Sequence, residues 1–146
     1  MTVQLSAYLK PVAFVAPVII RLVLGLILMA HGAQKLFGAF GGPGIAGTAP
    51  FLESLGMKPG LFWAWIAALA EFFGGLGILL GLLTGIASIV IIVDMLVAVV
   101  LVHGKKGFFL SAGGFEYNLA LIAMALSLIF SGPGVLSLDR LIRFWF

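Results

Sequence analysis

The sequence predicts an all-α integral membrane protein, a four-helix bundle with a long first connection and an interfacial C-terminal helix. Three observations predict it. Of 146 residues, 63% are apolar and only 9% charged, whereas a soluble domain usually carries about a quarter charged residues. Mean hydropathy is +1.29. The apolar residues fall into four runs, at 17–37, 61–83, 86–103 and 115–130, each near the ~20 residues that cross a hydrocarbon core of about 30 Å. Runs this long without alternation are helices, because lipid leaves no partner for an open strand edge. Residues 1–146 are read as one domain.

In order, the first run is PVIIRLVLGLILMAHGAQKLF. A cleaved signal peptide is the competing reading, with Lys10 and Arg21 as its basic region and AHGA at 30–33 as its cleavage site. The apolar character begins before Arg21, at Val12, and removing the run would leave three helices without a partner. Loop 1 (38–60) is glycine-rich and contains TAPFLESLG, a short helix expected to start at an N-cap Thr48, carry Pro50 in its first turn and stop at Gly56. The second run ends at a Thr84-Gly85 turn, which makes the second and third helices a tight antiparallel hairpin. A glycine stripe, Gly74, Gly77, Gly81 and Gly85, is expected at a close helix contact. Loop 3 is basic (GKKGFFLSAGG). After the fourth run SGPG breaks the chain, and SLDRLIRFWF sets Leu138, Leu141, Ile142 and Trp145 against Asp139, Arg140 and Arg143, as in a helix lying in the interface.

Four crossings put both ends of the chain on the side of loop 2, opposite loops 1 and 3. Basic residues do not orient it: Lys10, Arg140 and Arg143 balance Lys58, Lys105 and Lys106. The net charge of +3 is too small and too scattered for nucleic acid. The chain has no cysteine, which excludes disulfides and cysteine-based redox or metal sites within it. GGPGIAG in loop 1 follows no strand, so it is not a nucleotide-binding loop.

Chemistry is sought in the polar groups that lipid disfavours. A charged residue at a helix centre costs about 2.5–3.5 kcal/mol on insertion scales, so such groups should face inward and meet. With a rise of about 1.5 Å per residue, Arg21 and Asp94 fall on the terminal side and are expected to form a structural ion pair. Glu71 lies near the midplane. His31, Gln34, Lys35, His103, Glu116 and Asn118 converge in the half nearer loops 1 and 3. His31, Gln34 and Lys35 at i, i+3 and i+4 share one face. Glu71, flanked by Phe72, Phe73 and glycines, has no route to water. Glu71 and His31 are therefore the expected catalytic, proton-handling pair, and Gln34, Lys35, His103, Glu116 and Asn118 the expected binding pocket. Each has a plainer role: Lys35 and Glu116 can snorkel to water, and His103 can simply open a loop. His31 and His103 as haem ligands would differ in depth by about 6 Å on the helical rise, and no metal is expected.

RLVLGLILMAHGAQKLFG, AEFFGGLGILLGLLT, GGFEYNLALIA and GPGVLSLD, in this order, resemble the DoxX family of small bacterial membrane proteins. The resemblance covers about 21–139. It carries family positions onto Arg21, Gly25, His31, Gly32, Lys35, Glu71, Gly74, Gly75, Gly81, Gly114, Glu116 and Tyr117. It implies a four-helix bundle in the cytoplasmic (inner) membrane. Some relatives are similar to the membrane subunit of a thiosulfate:quinone oxidoreductase, and others are linked to thiol and oxidative stress. Two further expectations follow from it: a bound quinone as the one candidate cofactor, and a partner subunit or second copy beside the lipid bilayer. Without cysteine, thiosulfate or thiol chemistry has to take place on that partner. A non-catalytic scaffold of a respiratory assembly and a small transporter are the alternative functions.

Overall fold

The computed structural model describes residues 2–144, with side chains from Val15 onward. Helices α1 (Thr2–Phe37), α2 (Gly44–Ser54), α3 (Gly60–Leu80), α4 (Thr84–Ala98), α5 (Glu116–Ser131) and α6 (Leu138–Leu141) carry the fold, with no strand among the described residues. A π-helical turn, Val99–His103, prolongs α4. Three segments are long and apolar enough to cross a membrane: Val15–Phe37, Gly60–Leu80 and Thr84–Lys106. Helix α5 is apolar but shorter.

Burial follows helical periodicity. Leu24 and Leu28 on α1, Ala87, Ile91 and Met95 on α4, and Leu121, Ala125 and Leu128 on α5 recur every three or four residues and meet Ile78 in one core. The opposite faces are apolar too: Ile19, Leu22 and Leu26 on α1, and Ile86, Val93 and Val100 on α4, are exposed. Such a surface would aggregate in water and is ordinary in lipid.

Because lipid tails are as apolar as leucine, helices in a membrane gain mainly from close packing. Helices α1 and α3 touch along glycines. A Cβ on Gly25 would stand 2.9 Å from the Gly75 carbonyl oxygen, and one on Gly75 would stand 2.8 Å from Leu28 Cβ. The expected stripe divides otherwise. Gly74 and Gly77 face α4, at Ile91 and Ala87, while Gly75, off that stripe, faces α1. On an α-helix the intervening residue lies on a different face, so spacing alone did not identify the contact.

The connections also differ from expectation. Thr48 is not a cap; it lies inside α2 and donates to the Gly44 carbonyl. Gly56, with φ 90°, does take the left-handed step just past α2. The hairpin turn is made by Gly81, Leu82 and Leu83, whereas Thr84 and Gly85 already belong to α4. The C-terminal segment forms only one turn, α6, with Asp139 drawn inside; Trp145, expected to anchor it, lies outside the described residues.

Candidate functional site

Two polar clusters lie within the helices. At the end holding the α3–α4 turn, Arg21 is only 3% exposed, yet it does not reach Asp94. Its Nε donates to the Ile78 carbonyl (2.9 Å), Nη2 to Leu79 (2.8 Å), and Nη1 to Pro133 and Leu136 (both 2.7 Å). The carbonyls of Ile78 and Leu79 lie at the C-terminus of α3, where acceptors lack helical partners and a cation is favoured. Asp139 complements this arrangement. Its carboxylate accepts from the amides of Leu83 (2.6 Å) and Thr84 (2.8 Å) at the start of α4, a negative group at a helix N-terminus. The expected Arg21–Asp94 pair is thus replaced by an Arg21–Asp139 clasp that ties α1, the hairpin turn and the C-terminal segment together. Depth estimates missed it because backbone carbonyls are invisible in a census of charged side chains.

The second cluster lines a cavity of about 770 Å³, within the range usual for small-molecule sites. Helix α1 contributes His31 and Lys35, α3 contributes Glu71, α4 Asp94, its π-turn His103, and α5 Tyr117 and Asn118. Glu71 lies on the buried stripe of α3, with Ala64, Ala68, Gly75 and Ile78, and is 5% exposed. Its partner is Lys35, which donates to Oε2, rather than His31. Lys35 is one turn beyond His31 and its longer side chain spans the gap. Asp94, also at the cavity, interacts electrostatically with both Glu71 and Lys35. Of the two carboxylates only Glu71 is ion-paired with the ammonium among the described residues.

The remaining polar groups are held in place. Asn118 is 6% exposed, and its amide donates to Met95 Sδ at 3.5 Å. His103 Nδ1 lies 2.7 Å from the Gly113 carbonyl; a carbonyl can only accept, so Nδ1 carries the proton and Nε2 is left for another partner. The His31 ring stands 6.1 Å from that of Tyr117, tilted by 54°.

Two expected pocket residues are not among those lining the cavity. Glu116 caps loop 3, accepting from the Leu110 amide at 2.5 Å. Gln34 packs its backbone against Gly42, where a Cβ would meet Gln34 Cα at 2.6 Å. Conversely, sequence reasoning named Tyr117 only as a family position, not at the pocket, and passed over Trp63 and the apolar wall given by α2 and its C-cap (Phe51, Leu52 and Leu55). The signal for the wall was present, since these three recur on one side of the short helix in loop 1.

A buried ion pair, a second carboxylate and an apolar cavity inside a membrane-spanning bundle define a class, the multi-pass helical membrane protein with an intramembrane polar site. The chain belongs to the DoxX family, whose profile matches residues 16–104. It is 34% identical over 131 residues to the uncharacterized membrane protein Rv3486 of Mycobacterium tuberculosis, covering 83% of this chain and 77% of that one. It is 30% identical over 135 residues to the inner membrane protein YqjF of Escherichia coli (92% and 98%). It is 27% identical over 125 residues to a Bacillus subtilis protein named "Putative oxidoreductase CatD" (86% and 85%). No solved structure gives a significant match.

Proposed function

We propose that this protein is the membrane subunit of a redox-linked oxidoreductase system in the bacterial cytoplasmic membrane, and that its cavity binds a quinone. One observation carries the reading: the Lys35–Glu71 pair lies, with Asp94, at a cavity within the membrane that is walled mainly by apolar side chains. A quinone offers carbonyl oxygens to a cationic donor and flat apolar faces to such walls. Lys35 would donate a charge-assisted hydrogen bond to one carbonyl. Glu71 would hold the ammonium in position, while Asp94 and His31 would accept or return protons near the ring. The relative described as an oxidoreductase supports the redox element. Electrons, and any thiosulfate or thiol chemistry, are assigned to a partner protein, because the chain has no cysteine.

The test is to purify the protein in mild detergent and identify co-purifying lipids and proteins by mass spectrometry. A stoichiometric quinone, lost in Lys35→Met, is the expected result. A stoichiometric respiratory partner with no quinone would replace this reading by that of an accessory subunit.

A further inference from the structure

The cavity has two kinds of boundary. Toward loops 1 and 3 it is bordered by Phe51, Leu52, Leu55, Met57 and Leu110, all apolar. The two polar side chains at this end are engaged: Thr48 Oγ1 donates to the Gly44 carbonyl and His103 Nδ1 to that of Gly113. Apart from His103 Nε2, a hydrophilic molecule arriving from water meets mostly apolar groups there.

The other boundary is the seam between α3 and α4. Near their turn these helices are in contact, with a Cβ on Gly74 falling 3.0 Å from Ile91 Cδ1. Beyond that level the cavity lies between them, walled by Ile66, Ala67 and Ala70 on α3 and by Val90, Val93 and Val97 on α4. Of these, Ile66 (47%), Val90 (39%), Val93 (56%) and Val97 (38%) are exposed. Residues that wall a cavity and face outward together mark an opening, and both helices are long enough to span the membrane. The opening therefore faces acyl chains rather than water.

We propose that the α3–α4 seam is a lateral portal, admitting a membrane-dissolved amphiphile whose apolar chain stays in the seam while its polar head reaches Lys35 and Glu71. The inference rests on the quinone reading for the head; the chain and its route are new to it. Ala67 and Ala70 keep the seam open by being small, which makes them determinants of chain acceptance.

Titrations with a benzoquinone carrying a decyl chain, and with the same ring lacking it, test the portal. Counted against ligand dissolved in the nanodisc bilayer, the wild-type protein should bind the chain-bearing ring at least about tenfold more tightly, since a chain in the seam packs against fixed walls that mobile acyl chains do not match. Ala67→Trp should reduce that preference to about twofold or less, by weakening the chain-bearing ring's binding more than the bare ring's. Leu119→Trp, on the exposed face of α5, should behave as wild type. Should Ala67→Trp not fold, Val97→Cys labelled with a bulky maleimide after purification serves instead, and the absence of native cysteine makes that label unique. A chain preference that survives both modifications overturns the portal and leaves the quinone reading standing. Absence of binding by either ring overturns both. Equal binding of decanol would show a chain groove indifferent to the head, and would also overturn the proposal.

Discussion

The two polar clusters of this bundle hold similar side chains in different ways. Arg21 is buried against four backbone carbonyls, and Asp139 closes over two backbone amides, so each charge is spent on a helix terminus. Lys35 is paired with Glu71, Asp94 lies at the same cavity with no ion pair among the described residues, and all three border open space. A cluster whose charges are spent on backbone partners, with neither Arg21 nor Asp139 lining a cavity, is a structural fastener. One that is incompletely paired and faces a cavity has capacity left for a ligand. The lesson is that charge within a membrane indicates function only after its backbone partners have been counted.

The sharpest way to break this contrast is to remove the fastener. Arg21→Met removes a donor from four carbonyls, of which Ile78 keeps the Gly81 amide, and leaves the Asp139 carboxylate without its countercharge. Loss of one member of a buried charged set typically costs about 3–5 kcal/mol, so little folded protein should survive extraction, as judged by size-exclusion chromatography and thermal unfolding. A monodisperse, wild-type-like Arg21→Met protein would place the clasp in the same class as the cavity cluster. At the cavity, Lys35→Met should do the reverse. It loses a charged hydrogen bond to the ligand, worth about 1.5–3 kcal/mol or roughly ten- to a hundredfold in affinity, while the melting temperature falls less than for Arg21→Met.

Between these lies the glycine contact. Gly75→Ala forces a methyl against Leu28 and Met29 on α1, an overpacking of about 1–3 kcal/mol that unfolding in mixed detergent would register. Gly74→Ala meets only the end of a flexible isoleucine and should cost less. The smallest expected effect is a coupling. In a double-mutant cycle, Arg21→Lys and Asp94→Asn should be additive to within about 0.5 kcal/mol, as befits groups that share no partner. Measured coupling beyond about 1 kcal/mol would restore the direct pair that the clasp replaces.

Much of this architecture was legible in the residues themselves. Hydropathy marked every long helix, since the cost of burying a bare backbone in lipid admits few alternatives. It also marked Glu71 as an inward carboxylate near the midplane, with Lys35, His31, His103 and Asn118 in the half above it, but set Asp94 on the terminal side beside Arg21. The one-turn α6 was less legible: the amphipathic pattern of SLDRLIRFWF favoured a longer helix, but the pull of two free amides at the start of α4 draws Asp139 inward instead.

Composition and periodicity by themselves determined that this chain lives in a bilayer, how its long helices run, and which ionisable groups share a level. Tertiary structure alone decided the pairing. Depth along a helix follows from counting residues, but rotation about its axis and the nearest carbonyl depend on how neighbours pack. A shift of one residue, as between Gly74 and Gly75, turns the chain about 100° to a different neighbour. That rotation sent Arg21 to the ends of the helices and left Lys35 to Glu71, with Asp94 at the same cavity.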